Sequence, residues 1–178
     1  SDENRINFAN TYSKKFDVEI EPLKTPEPLL DSVDVVICAT NTNIELFDGT
    51  RLVPGQHVTG IIGSNKQLVQ GGFLKKARRE IDDATAVKAD VIVTNLKESM
   101  VSEEQGDLFG PIERGLIGID EVFELGDFST GKHPGRTSAD QITYHKNNNG
   151  TGCSEMAMAM TACRRAVEEG RGTEIDLA

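Results

Sequence analysis

Residues 33–40 read Val-Asp-Val-Val-Ile-Cys-Ala-Thr, a short apolar and β-branched stretch that ends in polar residues. An apolar run of this length is typical of a strand that is buried on both faces of a parallel sheet. Similar runs recur at residues 57–62, 89–94 and 141–145, and helical patterns lie between most of them. Because strands alternate with helices, the sequence predicts an α/β fold with a mainly parallel sheet.

Helical periodicity is clearest at the two ends of the chain. We expect helices over residues 3–15, 79–88, 119–125 and 154–169. Residues 18–20 follow the first helix and predict one more short strand. The last helix has a stripe of apolar side chains that comprises Met156, Met160, Cys163 and Val167. We expect this stripe to pack in the core, whereas an exposed stripe would favour association with another chain.

Composition excludes several classes of protein. The 178 residues have a formal net charge of −10, so no nucleic-acid partner is expected, because such binders need a basic surface. No apolar run reaches about 18 residues, so no membrane partner is expected. The chain starts without Met and without a signal peptide, and its three cysteines lack CxxC spacing, which indicates a cytoplasmic protein. The histidines lack metal-ligand spacing, so no metal site is expected.

Polar segments rich in Asn and Gly follow three of the predicted strands. They cover residues 39–43, 63–65 and 146–150. Ligands of open parallel sheets bind beyond the carboxyl ends of the strands, so three such segments together predict a binding crevice. Ordinary turns between strands and helices also favour Asn and Gly, for conformational reasons.

Two further polar motifs have weaker meaning. Gly150-Thr151-Gly152 follows a strand and opens a helix, but Glu155 occupies the third glycine position and no strand follows. This loop therefore does not fit a dinucleotide fingerprint. Arg136, in the loop over residues 135–140, could bind an anion or stabilise a turn, and a single arginine favours the turn.

Several short motifs along the chain together carry a resemblance to a known family. They are Asp34-Val35-Val36 up to Thr40, residues 52–58 leading to Gly63-Ser64-Asn65, residues 79–82, 124–127, 131–132 and 134–138, Ile142-Thr143 and Lys146-Asn147-Asn148. Their order and spacing resemble the ornithine cyclodeaminase/mu-crystallin family over nearly the whole chain. The resemblance implies a partial Rossmann-type sheet that binds NAD or NADP, expected over residues 1–150. It also implies a substrate and dimerisation domain, to which the helix and tail of residues 151–178 contribute.

The same resemblance implies the chemistry and the partners. Members of the family transfer a hydride between a nicotinamide and the α-carbon of an amino acid or imine. A small amino acid or imine is therefore the implied substrate, and a homodimer is the implied assembly.

The resemblance also assigns roles to individual residues. The implied cofactor-binding residues are Thr40, Asn41, Ile62, Gly63, Ser64 and Asn147. Asn65 lies where ornithine cyclodeaminase has its catalytic Asp, so we expect it in catalysis and substrate binding, with Asn148 also facing the substrate. An Asn cannot transfer protons as a carboxylate does, which favours a reductase or dehydrogenase over a cyclodeaminase.

The family's first βαβ unit is not found in this sequence. That unit carries the glycine loop, and the Arg and Lys residues that clamp the substrate also lie in the N-terminal half. We therefore expect a truncated chain that is incomplete as an enzyme by itself. Three functions remain open: a ketimine reductase or amino-acid dehydrogenase, an ornithine cyclodeaminase, and a non-catalytic ligand-binding fragment.

Overall fold

The computed structural model describes residues 1–40, 42–63, 66–147, 152–173 and 175, with the side chain of Cys153 excepted. Its helices are α1 (Asp2–Phe16), α2 (Glu27–Leu30), α3 (Lys66–Gln70), α4 (Asp83–Lys88), α5 (Lys97–Ser102), α6 (Gly106–Glu113), α7 (Leu125–Ser129) and α8 (Gly152–Glu168). Its strands are β1 (Val35–Cys38), β2 (His57–Gly60), β3 (Val91–Thr94), β4 (Val122–Glu124) and β5 (Thr143–Lys146). Two 3₁₀ turns cover Gly49–Arg51 and Ile119–Glu121.

The five strands form one sheet in the order β1-β2-β5-β3-β4, and all neighbours pair in parallel. One row of paired residues crosses the whole sheet, and every member of it is buried. The row is Val36, Val58, Tyr144, Ile92 and Val122. Helices flank this sheet, so the predicted α/β class is confirmed, and the four strands expected from the apolar runs at residues 33–40, 57–62, 89–94 and 141–145 all form.

The two faces of the sheet differ in burial. The buried row joins a core to which Ala86 of α4, Met100 of α5 and Leu108 of α6 contribute. On the opposite face, the Ile37 side chain of β1 remains 68% exposed, and that of Val35 is exposed as well. The prediction that the strands are buried on both faces is therefore wrong for β1.

The first helix forms as predicted, but the strand expected at residues 18–20 does not. Ser1 caps α1 by accepting a hydrogen bond from the Asn4 N–H at 3.3 Å. The Val18 N–H then donates to the Ser13 carbonyl at 3.2 Å, and the Ile20 N–H donates to Ser13 Oγ at 3.1 Å. These backbone groups bond to α1 instead of to a neighbouring strand, which explains the error.

Two of the predicted helices in the middle of the chain have different bounds. The helix expected over residues 79–88 begins only at Asp83, because Asp82 adopts an extended backbone and caps α4. The helix expected over residues 119–125 is a 3₁₀ turn followed by the edge strand β4 and by α7. A segment of three residues is too short for its sequence pattern to reveal a strand. β4 forms because it pairs with β3.

Helix α8 matches its expected position, but its apolar stripe is exposed. Met156 is 62% exposed and Val167 is 81% exposed, so the expectation that this stripe packs in the core is wrong. Across the part of the chain that the structure describes, no helix is both long and apolar enough to cross a membrane.

Candidate functional site

The candidate site lies at the carboxyl ends of β1, β2, β5 and β3, which are consecutive strands of the sheet. Residues 39–40, 61–63, 147 and 95 follow these four strands in that order. Ligands of parallel sheets bind at this edge, because strand ends and the loops after them form a crevice there. The sheet thus brings together the described parts of the three predicted strand-end segments, which are residues 39–40, 63 and 147.

Four of the predicted site residues lie within the described part of the chain. They are Thr40, Ile62, Gly63 and Asn147. The other four, Asn41, Ser64, Asn65 and Asn148, lie outside the described residues.

Thr40 is exposed and lies two residues beyond the end of β1. Hydrogen bonds to the buried Glu80 fix its orientation. Both the backbone N–H and the hydroxyl of Thr40 donate to Glu80 Oε1, the hydroxyl at 2.6 Å. The same hydroxyl accepts from the Thr42 N–H at 3.3 Å. Because the Thr40 hydroxyl already makes these hydrogen bonds, Thr40 stabilises the conformation of this loop and is also available as a ligand contact.

The segment after β2 combines a buried residue with an open one. The side chain of Ile62 is buried. The backbone carbonyl of Ile62 accepts a hydrogen bond from Lys146 Nζ. Gly63 is exposed, and a Cβ at this position would have no neighbour within 4 Å among the described atoms. The hydrogen bond from Lys146 therefore anchors the backbone at Ile62, while the described atoms leave space for a ligand beside Gly63.

A chain of amide and imidazole groups spans the ends of β5 and β3. Asn95 Nδ2 donates to Asn147 Oδ1 at 3.2 Å, and Asn95 Oδ1 lies 2.9 Å from His145 Nε2. The Asn147 N–H donates to the Gly60 carbonyl at 2.9 Å, which continues the pairing of β2 with β5. Partial burial, and secondarily the charge of His57, lowers the pKa of His145.

Asn95 was missed by sequence reasoning. It follows β3 as Asn147 follows β5, and this equivalence could have identified it. The signal was weak because Leu96 and Lys97 follow it at once, without the run of polar residues found at the other strand ends.

A cluster of buried ionisable side chains lies directly beneath the site. Lys146 and Asp107 are fully buried and form an ion pair of 3.0 Å between Nζ and Oδ2, and Glu80 is fully buried beside them. Burial raises the pKa of the Cys38 thiol to about 12, and the carboxylates of Glu80 and Asp107 add to this. Sequence reasoning did not identify this cluster, because its members come from distant parts of the chain.

Arg136 has a structural role at the amino end of β5. Its guanidinium donates to Thr143 Oγ1 at 3.2 Å and to the Gln56 carbonyl at 3.4 Å. These bonds support the stabilisation of a turn over the binding of an anion. Among the described residues, no group of three or more His, Cys, Asp or Glu side chains is arranged to hold a metal ion.

Known proteins resemble this chain in sequence and in structure. Delta(1)-pyrroline-2-carboxylate reductase from Bacillus cereus is 25% identical over 177 residues, which are 99% of this chain and 50% of that protein. The structure of Thermococcus litoralis Delta(1)-pyrroline-2-carboxylate reductase in complex with NADH and L-proline matches with a TM-score of 0.82 at 26% identity. That match covers 97% of this chain and 50% of the other.

A third comparison shows likeness of fold. The iminosuccinate reductase of Paracoccus denitrificans, in complex with NAD+, matches with a TM-score of 0.76 at 24% identity. This match covers 93% of this chain and 46% of the other. The chain thus spans about half the length of the relatives that it matches.

The match to a family extends over nearly the whole sequence. The model of the ornithine cyclodeaminase/mu-crystallin family covers residues 1–169. The resemblance carried by the short motifs along the chain is thereby confirmed. The chain belongs to the ornithine cyclodeaminase/mu-crystallin family.

Proposed function

We propose that the protein is an NAD(P)-dependent oxidoreductase that acts on a cyclic imine or an amino acid, as a ketimine reductase or amino-acid dehydrogenase does. The observation that carries this proposal is the alignment of Thr40, Gly63 and Asn147 at the carboxyl ends of three consecutive parallel strands. This edge is where dinucleotides bind in folds of this class. A relative of the same fold has been solved with NADH and L-proline, which supports the same ligand classes here.

The described residues fit a dinucleotide. Thr40 is exposed, no described atom lies within 4 Å of a Cβ placed at Gly63, and the Asn147 side chain belongs to a chain of amide groups. Such groups can hydrogen-bond to ribose, phosphate and carboxamide. We assign Thr40, Ile62, Gly63 and Asn147 to the cofactor, together with Asn41 and Ser64.

The reaction proposed here adds a hydride to the imine carbon and a proton to the nitrogen, which converts a C=N bond into an amine. A bound dihydronicotinamide supplies the hydride. Asn65 and Asn148 would orient the substrate through hydrogen bonds. Because an amide side chain does not ionise near neutral pH and cannot act as a general acid or base, Asn65 would position the imine and leave proton delivery to another group.

The remaining parts of the proposal concern assembly and location. We propose a homodimer, in which residues 151–178 contribute to a substrate and dimerisation domain and residues 1–150 bind the cofactor. The exposure of Met156 and Met160 on α8 supports a role for this helix in association. We also propose a cytoplasmic location, which the free thiol of the exposed Cys163 supports.

The test is an activity assay of the full-length protein with NADH or NADPH. Consumption of the reduced cofactor with a cyclic imino acid such as Delta(1)-pyrroline-2-carboxylate is expected, together with a strong loss of turnover in Asn65→Ala. Lys88→Ala, an exposed change at the end of α4, serves as the control and should retain wild-type turnover. Release of ammonia from ornithine without net reduction of a cyclic imine would instead indicate a cyclodeaminase.

A further inference from the structure

The loops after β1 and β2 are joined underneath by one continuous set of hydrogen bonds. Three fully buried side chains, those of Lys146, Asp107 and Glu80, form its centre. They come from β5, from α6 and from the segment before α4. Its two ends reach Ile62 and Thr40, which are both candidate cofactor-binding residues.

The first half of this network fixes the loop after β2. Lys146 Nζ donates to the Ile62 carbonyl, a backbone group beyond the last paired residue of β2, and to Asp107 Oδ2 at 3.0 Å. Asp107 Oδ1 accepts from the N–H groups of Glu80 at 2.9 Å and of Ile81 at 3.3 Å. The position of the loop is therefore tied to the segment that carries Glu80.

The second half fixes the loop after β1. Glu80 Oε1 accepts from both the N–H and the hydroxyl of Thr40. Glu80 Oε2 is also buried and has no hydrogen-bond partner among the described residues. A carboxylate that leaves one oxygen unpaired is poorly suited to stabilising a core, since an unsatisfied buried polar atom costs free energy.

Stability alone does not explain why these three side chains are charged. Apolar residues of similar volume often stabilise a core at least as well as a buried ion pair, because two charges must be removed from water. What apolar residues cannot do is hold backbone N–H and C=O groups that lack partners in the sheet. The network satisfies four such groups, those of Thr40, Ile62, Glu80 and Ile81.

We propose that Glu80 and Lys146 are positioning residues for the cofactor, which act through Thr40 and Ile62 respectively. They set the spacing of the two loops between which the dinucleotide lies, and neither needs to contact the cofactor. This inference rests on the proposed function. It predicts that breaking the network weakens cofactor binding in protein that is still folded.

The test is a fluorescence titration of full-length protein with NADH, for wild type, Glu80→Met and Glu80→Gln. Met removes the acceptor for Thr40, so the Kd for NADH should rise by roughly tenfold, the effect of losing a hydrogen bond to a charged group. Gln keeps an acceptor oxygen, so it should recover most of that affinity. The KM for NADH should rise more than kcat falls, whereas a purely structural defect lowers both activity and melting temperature without changing the Kd of the folded protein.

Two further variants keep the inference testable if Glu80→Met does not fold. Thr40→Val removes the hydroxyl that donates to Glu80, and Thr40→Ser keeps it. The exposed change Glu98→Met is the control for loss of a carboxylate and should bind NADH as wild type does. The valine variant should bind NADH several-fold more weakly than the serine variant.

The possible failures are distinguishable. If wild-type protein does not bind NADH or NADPH, the proposed function is overturned, and this inference falls with it. If wild type binds but folded Glu80→Met, or Thr40→Val, has an unchanged Kd, only the positioning role is overturned.

Discussion

Lys146 Nζ and Asp107 Oδ2 lie 3.0 Å apart, and neither side chain has any exposed surface. The pair connects the last residue of the central strand β5 with the first turn of α6, directly beneath the candidate site. If one partner is removed, the other charge stays buried alone. Its removal from water is then no longer offset by attraction to the partner, so the fold loses stability. This relationship makes the pair the most sensitive point for stability near the site.

Removing one member of this pair should strongly destabilise the fold. Asp107→Leu is expected to lower the free energy of unfolding by about 3–5 kcal/mol, as measured by urea denaturation. Adding Lys146→Met to the same chain should recover part of the loss, because no unpaired charge remains. Lys132→Met breaks an exposed ion pair of 3.8 Å with Asp127 and should change stability by less than about 1 kcal/mol. Similar losses in the buried and exposed variants would contradict the account.

Gly60 should not tolerate a methyl group. A Cβ at this position would lie 2.6 Å from Ile81 Cδ1, so Gly60→Ala is expected to cost about 1–3 kcal/mol by overpacking. Ile81→Val removes the clashing methyl group and should return part of that loss in the double variant. Gly126→Ala in α7 meets no atom within 4 Å, so it serves as the control and should be neutral or stabilising. An unchanged urea midpoint for Gly60→Ala would show that β2 and Ile81 pack less closely than described.

Asp82 should contribute to stability as the N-cap of α4. Its Oδ1 accepts from the Thr85 N–H at 2.9 Å and from Thr85 Oγ1 at 2.8 Å, while Oδ2 accepts from the Gly49 N–H at 2.9 Å. Asp82→Ala is therefore expected to cost about 2 kcal/mol, at the upper end for a helix cap. Asp82→Asn keeps the acceptor for Thr85 and should cost less. Equal losses in thermal unfolding for the two variants would argue against the capping role.

Stability should fall as the pH decreases below about 6.5, because two histidines are partly buried. Burial, with the charge of Arg136 as a second cause, lowers the pKa of His57, and burial lowers that of His145. The unfolded chain therefore binds protons more readily than the fold does, so the stabilisation is complete above the ordinary pKa of histidine and is lost as the pH falls. Unfolding free energies at pH 7.5 and 5.5 test this, and His57→Gln should reduce the difference. A wild-type protein equally stable at both values would be inconsistent with the lowered pKa values.

Cys38 and Cys163 should differ in reactivity. The Cys38 thiol is buried and its pKa is raised to about 12, so the reactive thiolate is scarce, whereas Cys163 is exposed on α8. Iodoacetamide at pH 8 should therefore modify Cys163 in native protein and Cys38 only in urea, as peptide mass spectrometry can show. Rapid modification of native Cys38 would mean that the region around Lys146 and Asp107 opens readily.

The strands of the sheet were predictable from sequence because their signal is local. Val35–Cys38 and Val91–Thr94 lie in short apolar, β-branched runs, which favour a strand whatever their neighbours are. β4 was not predictable, since Val122–Glu124 has only three residues and forms through pairing with β3. Residues 18–20 show the reverse error, because a strand-like pattern cannot reveal that the backbone bonds to Ser13 instead.

The candidate site was predictable to the extent that it follows strand ends. The segments that contain Thr40, Gly63 and Asn147 were identified in this way, the family resemblance then pointed to these residues, and the sheet order places them side by side. The buried network beneath them was not predictable, because Glu80 and Lys146 are 66 residues apart in sequence and are linked only in the folded chain, through Asp107. A charged residue in a sequence is ordinarily taken as exposed, and only packing shows the exceptions.

The central claim is that this protein binds a nicotinamide dinucleotide at the carboxyl edge of its sheet. A fluorescence titration of full-length protein with NADH and NADPH tests it most directly, with Asn147→Leu as the site variant and Lys88→Ala as the distant control. Saturable binding in the micromolar range, weakened in Asn147→Leu and unchanged in Lys88→Ala, is the predicted result. Absence of binding by folded wild-type protein, or equal binding by all three proteins, would contradict the account.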